Sequence, residues 1–205
     1  KRIDLLNKHK INYVAWGKTK ESSNFSWVDL DNKKAIEKIV NYLIERKHKN
    51  ISYINISEKY NFASERKNSF LKILKKNKIT FNKNYYASVK LEEPEKSFEV
   101  IKNMLTRNKK ITSIICSTEY SALSAIKACN YLNLKIGKDI SIITFDGPLV
   151  RDLSTPPITA VSFPVKELGK KAINILLNRD KKQNKTYNFL AEVNIIDRGS
   201  VHNCK

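Results

Sequence analysis

Short apolar runs alternate with longer amphipathic segments along most of this chain. Runs such as Ile51–Ile56 and Ile140–Phe145 have the length of buried strands, and polar or turn-forming residues follow each of them. The segments between the runs repeat their apolar residues at helical spacing, as in 33–46, where Ile36 and Ile39 lie on one apolar face. Strands that alternate with helices of this length predict βαβ units around parallel sheets, and therefore an α/β fold.

The alternation assigns an element to nearly every part of the chain. Strands are predicted at 11–16, 27–30, 51–56, 85–90, 111–116, 140–145 and 158–163, with a last strand pair within 187–196. Helices are predicted at 33–46, 63–76, 94–107, 120–132 and 164–177, and residues 1–9 are predicted to end a further helix. Asn32 is expected to cap the helix at 33–46, because its side chain can accept from unpaired first-turn amides.

Three consecutive pieces between residues 113 and 177 each open from a predicted strand into polar residues. They read SIICSTEYSALSAIKA, ISIITFDGP and TPPITAVSFPVKELGKKAINILL. Because parallel strands end at the same edge of a sheet, their polar residues are delivered to the edge where open α/β sheets bind ligands. This pattern predicts a binding site.

The formal net charge of +19 does not by itself predict a nucleic-acid-binding groove. Only seven of the 39 basic residues are Arg, and the lysines are spread along nearly every segment. Such spacing is typical of a solvated surface rather than a dedicated DNA groove, and the run at 181–185 is expected to be a surface loop. The charge can still assist a neighbouring DNA-binding segment by long-range attraction.

Composition also excludes several classes of protein. No apolar run approaches a membrane span, and the basic N-terminus leads into no signal-peptide stretch, so we expect a soluble cytoplasmic protein with no membrane partner. The sequence holds no Gly-rich phosphate loop, GxSxG elbow or Walker motif, so we expect no enzyme and no cofactor. The histidines and cysteines lack paired or metal-type spacing, so we expect no metal. The histidines are expected to be solvated and the cysteines to be reduced thiols: His9, His48, His202; Cys116, Cys129, Cys204.

Five motifs, in order and in register, resemble the effector-binding region of LacI/GalR-type transcription regulators. They are VDLDNKKAIEKIVNYLIERKHKNISYI, SERKNSF, SIICSTEYSALSAI, LKIGKDISIITFDGP and TPPITAVSFPVKELGKKA, and the resemblance spans residues 28–177. The resemblance implies a two-lobed, periplasmic-binding-protein-like (type I) α/β fold with parallel sheets flanked by helices.

The same resemblance implies that the chain is N-terminally truncated. Family members begin with a helix-turn-helix and a hinge helix, and their first lobe starts with further βα units, none of which precedes Lys1. Residues 1–29 and 164–188 are therefore expected to form a partial N-terminal lobe, and residues 30–163 and 189–205 the C-terminal lobe.

Two residues carry the main ligand prediction. Arg66 occupies the position of the family's effector-contacting arginine, and its planar fork of donors suits neighbouring hydroxyls. The alternative is a surface arginine on the first turn of an amphipathic helix. Asp146 ends a predicted strand at the ligand-binding edge and is expected to accept from two sugar hydroxyls. Its alternative is a turn-forming aspartate before Gly147.

Five further positions are candidates for ligand contact. Thr118 and Glu119 follow a strand, where the family often has Asn-Asp or Thr-Asp, and their alternative is an N-cap with first-turn charge. Asp31 lies where the chain passes between lobes, and it either meets ligand or fixes the crossover. Trp16 and Trp27 offer flat apolar faces near predicted crevice loops, and their alternative is plain core.

The expected function is the sensing of a small effector, bound between two lobes, that allosterically controls DNA binding through the missing N-terminal domain. The segments YVAWGKT, SNFSWVDLDN and INISEKYNFASER resemble regulators of glycoside-utilisation genes, which favours a sugar or glycoside over a purine. The family also implies a homodimer. Interface candidates are the segment 148–157 and four residues of the helix at 120–132, which could equally be buried on the sheet: Ala122, Ala125, Ile126, Cys129.

Two other classes remain open. A solute-binding protein that feeds a transporter would use the same crevice but would need export, and a sugar-processing enzyme would need a carboxylate pair. The upstream sequence discriminates the first two classes, since a helix-turn-helix indicates a regulator and a signal peptide indicates transport.

Overall fold

The computed structural model describes residues 2–19, 24–90, 93–178 and 186–204, so the run at 181–185 lies outside it. Its helices are α1 Arg2–Lys8, α2 Asn32–Glu45, α3 Asn61–Lys76, α4 Pro94–Arg107, α5 Glu119–Tyr131, α6 Pro148–Asp152 and α7 Val165–Leu177. Its strands are β1 Ala15–Trp16, β2 Trp27–Leu30, β3 Ile51–Ile56, β4 Tyr86–Val89, β5 Ser113–Cys116, β6 Ser141–Phe145, β7 Thr159–Ser162, β8 Asn188–Ala191 and β9 Asn194–Ile196.

The chain divides into two compact units, each built from separate stretches of sequence. The first unit comprises Lys1–Asp31 and Phe163–Val193, and the second comprises Asn32–Ser162 and Asn194–Lys205. The first unit contains a parallel three-stranded sheet in the order β1-β2-β8. Helix α7 packs against β2 through a small core of four buried residues: Val28, Leu168, Ile175, Ala191.

The second unit contains a six-stranded sheet in the order β4-β3-β5-β6-β7-β9. All neighbouring strands are parallel except β9, which runs antiparallel to β7. Strands β3, β5 and β6 lie in the middle of the sheet and are buried along their whole length, which explains why they read as continuous apolar runs. Their carboxyl ends therefore meet at the centre of one sheet edge.

The C-terminal strands differ from the sequence prediction. β8 and β9 do not pair with each other, since β8 pairs with β2 in the first unit and β9 pairs with β7 in the second. The stretch 189–193 therefore falls in the first unit, not in the C-terminal lobe to which the sequence assigned it. Two residues separate the strands, so the turn resembles a hairpin in sequence while the chain changes sheet.

Burial corrects two further expectations. The four small or apolar residues of α5 proposed as an interface are buried inside the second unit, and the exposed residues of that helix include Tyr120 and Tyr131. His48, expected to be solvated, is fully buried, whereas Cys116 and Cys129 are buried free thiols. Burial raises the pKa of Cys129 to about 12.

Within the described residues, no helix is long and apolar enough to cross a membrane.

Candidate functional site

Two adjacent parallel strands of the second unit end in polar residues at the same edge. β5 ends at Cys116 and is followed by Ser117, whereas β6 ends at Phe145 and is followed by Asp146. Residue-by-residue pairing of β5 with β6 brings the two ends side by side. The structure thus places the four sequence-predicted residues of this unit at one sheet edge or on the helix that faces it.

Arg66 is a buried residue of α3, with only 5% of its surface exposed. Its Nε donates to Oδ1 of Asn32 at 2.8 Å, and its Nη1 donates to the carbonyl oxygen of Ser117 at 3.0 Å. The guanidinium carbon lies 3.4 Å from the ring centroid of Phe145 and 4.8 Å from that of Phe62. Arg66 is therefore a fixed cation at the end of β5 and β6, not the surface arginine of the alternative interpretation.

A buried hydrogen-bond network fixes the groups that hold Arg66. Ser117 Oγ donates to Oδ1 of Asn55 at 2.8 Å, and the Tyr53 hydroxyl lies 2.8 Å from the same Ser117 oxygen. Nδ2 of Asn55 donates to the carbonyl oxygen of Ala63 in the first turn of α3. Burial raises the pKa of Tyr53, so it stays a neutral phenol. The network ties the ends of β3 and β5 to the helix that carries Arg66.

Asp146 is held by an ion pair that the sequence did not reveal. Nη2 of Arg198 donates to Oδ1 of Asp146 at 2.8 Å, with 11% and 16% of the two side chains exposed. Arg198 is itself anchored, because its Nη1 donates to the carbonyl oxygen of Ile158 at 2.7 Å. Within the described part of the chain, no protein group donates a hydrogen bond to Oδ2 of Asp146. The carboxylate is thus oriented through one oxygen.

Thr118 and Glu119 both cap helices. Thr118 Oγ1 accepts from the backbone amide of Ser121 at 3.2 Å, and Ser121 Oγ accepts in return from the amide of Thr118, which completes a capping box on α5. Oε1 of Glu119 accepts from the amide of Leu149 at 2.8 Å, at the start of α6. The cap interpretation of Thr118 is confirmed, and Glu119 caps a different helix from the one that it begins.

The remaining candidates belong to the first unit. Trp27 is 8% exposed and lies in β2, which favours the plain-core alternative. Trp16 is 51% exposed on the edge strand β1 and lines a cavity of about 620 Å³ together with residues of 2–19. Asp31 is the last residue of the first stretch of this unit, and its amide donates to the carbonyl oxygen of Ala191 at 3.4 Å. Ligand contact by Trp16 and Asp31 stays a prediction.

The sequence prediction did not identify three residues that contact Arg66 or Asp146. Asn32 was expected only as a helix cap, yet its side chain accepts from Arg66. Phe145 reads as one more apolar strand residue, although its ring stacks on the Arg66 guanidinium. Arg198 lies 52 positions from Asp146, so no local pattern could have joined them. The position of Phe145 directly before Asp146 was the one available signal.

The fold places the chain in the class of periplasmic-binding-protein-like α/β proteins. The CelR–cellobiose complex superposes with a TM-score of 0.88 at 18% identity, covering 97% of this chain and 61% of that one. A regulatory protein of the LacI family from Chloroflexus aggregans superposes with a TM-score of 0.81 at 27% identity, covering 98% of this chain and 72% of that one.

Sequence comparison specifies the family. Residues 40–201 match the family described as periplasmic binding protein-like domain. The HTH-type transcriptional repressor PurR of Pectobacterium atrosepticum is 31% identical over 161 residues, which are 78% of this chain and 47% of that protein. The PurR repressor of Actinobacillus pleuropneumoniae is 32% identical over 165 residues, which are 79% of this chain and 49% of that protein.

The chain therefore belongs to the periplasmic binding protein-like domain family, as an effector-binding domain of the LacI/GalR type. It spans about half the length of the curated relatives that it matches. Those relatives are named as transcriptional repressors rather than as enzymes.

Proposed function

We propose that this chain is the effector-sensing part of a cytoplasmic transcription regulator, and that its effector is a small sugar or glycoside. The observation that carries the proposal is the arrangement at the end of β5 and β6. There Arg66, a buried arginine of α3, stacks on Phe145 and donates to the carbonyl oxygen of Ser117 after β5, and the oriented carboxylate of Asp146 follows the end of β6. The carboxyl edge of a parallel sheet is where such folds bind small ligands.

The chemistry of this edge suits a polyol. Arg198 neutralises the charge of Asp146 through Oδ1, and Oδ2 is the oxygen that can accept hydrogen bonds from ligand hydroxyls. Phe62 is partly exposed beside Arg66 and offers a flat apolar face of the kind that packs against the C–H face of a sugar ring. Thr118 and Glu119 contribute by fixing the helices that frame the edge, and direct ligand contact is not required of them.

Control of DNA binding is the second part of the proposal, and it concerns the whole protein. An effector can change DNA affinity only if it binds the DNA-binding and the non-binding state with different affinities. By linkage, DNA then changes the affinity for the effector by the same factor. We propose that the intact protein acts as a homodimer. Among the predicted interface residues, the segment 148–157 stays available through Leu153, which is 74% exposed.

A thermal-shift screen of the chain tests the ligand class. The panel contains mono- and disaccharides, among them cellobiose because one structural neighbour is named as its complex, and a free purine base as the competing class. A saccharide present at about 100 times its Kd should stabilise the folded chain by about 2.7 kcal/mol. Stabilisation by the purine base alone would overturn the sugar assignment while leaving an effector domain in place. No stabilisation by any compound would contradict both the sugar assignment and the effector-sensing role.

A further inference from the structure

The opposite edge of the second unit's sheet carries a cluster that the effector site does not use. His48 lies between α2 and β3, and it hydrogen-bonds Thr112 and Ser141 at the amino ends of β5 and β6. His202 and Cys204 come from the segment after β9, and one ligand atom from each of the three residues lies within 4.8 Å of the others. We call these three residues the His–His–Cys cluster.

Each imidazole is oriented through its Nδ1 atom. His48 Nδ1 lies 2.9 Å from the Thr112 hydroxyl, and His202 Nδ1 lies 2.9 Å from the Ser141 hydroxyl. Imidazoles that bind metals are commonly fixed in this way, with one ring nitrogen held by a second group while the other faces the ion. For His202 this leaves Nε2, whereas Nε2 of His48 also contacts oxygens of Ser141 and His202 that a bound ion would replace.

Nε2 of His48 lies 3.0 Å from the carbonyl oxygen of His202 and 3.1 Å from Ser141 Oγ. In the metal-free protein it can donate its proton to that carbonyl while Nδ1 accepts from Thr112. If the proton moves to Nδ1, that nitrogen donates to Thr112 Oγ1 and Nε2 gains a lone pair.

The third group supplies the soft donor. Cys204 is a free, partly buried thiol, and its backbone amide donates to the carbonyl oxygen of Arg46 at 2.8 Å, which holds the residue beside the end of α2. The other two cysteines are buried elsewhere in the core of the second unit. One thiolate with two imidazoles is a donor set that suits Zn²⁺ and other borderline-soft divalent cations.

We propose that the His–His–Cys cluster binds one Zn²⁺-class divalent cation through Nε2 of His48, Nε2 of His202 and Sγ of Cys204. The thiol gives its proton to solvent when the ion binds, and water or the His202 carbonyl oxygen fills the fourth position. Bonds of about 2.0–2.3 Å bring tetrahedral ligands to about 3.3–3.8 Å from one another. The ligand atoms, which lie within 4.8 Å of one another, must therefore approach by up to about 1 Å through movement of the partly exposed side chains of His202 and Cys204.

Cobalt spectroscopy of the untagged chain tests this site, since Co²⁺ reports thiolate ligation directly. After treatment with a chelator and a reductant, Co²⁺ should bind at one equivalent and give a thiolate-to-cobalt charge-transfer band that Zn²⁺ abolishes. Cys204→Ser should eliminate the band, and His202→Ala should weaken binding by about tenfold or more. His9→Ala, which removes an exposed histidine of the first unit, is the matched control and should change nothing.

Alkylation of Cys204 gives a second readout that does not depend on the cobalt charge-transfer band. One equivalent of Zn²⁺ should slow the reaction of Cys204 with iodoacetamide, whereas Cys116 and Cys129 should stay protected with or without metal because they are buried. In chelator, Cys204→Ser should have the same melting temperature as the wild-type chain, because this thiol is only partly buried. The comparison of metal affinities rests on that result. A missing charge-transfer band, or equal metal affinity in Cys204→Ser, would show that the cluster is a hydrogen-bonded packing group and overturn the proposal.

Discussion

Arg66 shows how burial changes what a single residue is expected to do. Family resemblance marks it as a ligand-contacting arginine, and on that basis alone its removal should spare the fold. The structure shows instead a buried guanidinium that bonds Asn32 and Ser117 and stacks on Phe145. Its side chain therefore joins three segments of the second unit, so we expect its loss to affect stability as well as ligand binding.

Arg66→Ala should lower the free energy of unfolding by about 1–3 kcal/mol, because the buried acceptors on Asn32 and Ser117 lose their donor. Arg66→Lys, which keeps the charge but not the fork, should recover part of this loss. Urea unfolding measures both, with Lys72→Ala on the same helix as the control. Wild-type stability of Arg66→Ala would show that the guanidinium contacts contribute nothing to the fold.

Glu119 and Gly147 form a second pair of residues that act together. A β-carbon placed on Gly147 would overlap the Glu119 carboxylate, so Gly147→Ala should push that carboxylate off the amides of Leu149 and Val150. Gly147→Ala and Glu119→Ala should each cost about 1 kcal/mol, the usual worth of a helix cap.

The double variant at these two positions should cost about as much as either single variant, since both remove the same contact. Gly169→Ala, placed mid-helix in α7 with open space around the glycine, is the control and should stabilise the chain by about 0.5–1 kcal/mol. Additive losses in the double variant, measured by urea unfolding, would contradict a shared cap.

At the scale of elements, periodicity predicted most strands and helices of the second unit within a few residues. β3 and α4 coincide with their predictions, because an unbroken apolar run and a clean amphipathic face leave little alternative. The five-residue helix α6 was not predicted, since it is too short for periodicity and depends on the distant Glu119. Which sheet a strand joins was equally hidden, as β8 and β9 show, because strand pairing is a property of the folded chain.

Thr118 caps the first turn of helix α5. Thr118→Val keeps the shape of the side chain but removes the oxygen that accepts from Ser121, so it should lower the free energy of unfolding by about 1 kcal/mol. We expect effector affinity to be unchanged, since the residue acts on the helix. Calorimetric titration with an effector found in the screen measures this. A large loss of affinity with normal stability would make Thr118 a ligand contact after all.

At the scale of the whole molecule, the chain is two α/β units, and the second unit carries polar groups on both edges of one sheet. The carboxyl edge holds Arg66 and Asp146, which we assign to the effector, and the amino edge holds the His–His–Cys cluster. The sequence pointed to the first edge through strand-end motifs and family resemblance. It gave no sign of the second, because the two histidines lie 154 positions apart.

Calorimetric titration of the wild-type chain and Asp146→Asn with a stabilising saccharide tests whether a sugar binds at the end of β6. We expect one saccharide to bind per wild-type chain and affinity to fall about tenfold or more in Asp146→Asn, because hydrogen bonds to a charged acceptor contribute about 1.5–3 kcal/mol. Each protein is titrated below its own melting temperature, since the Arg198 ion pair is weakened as well. Equal affinity in the two proteins would contradict a sugar site at the end of β6.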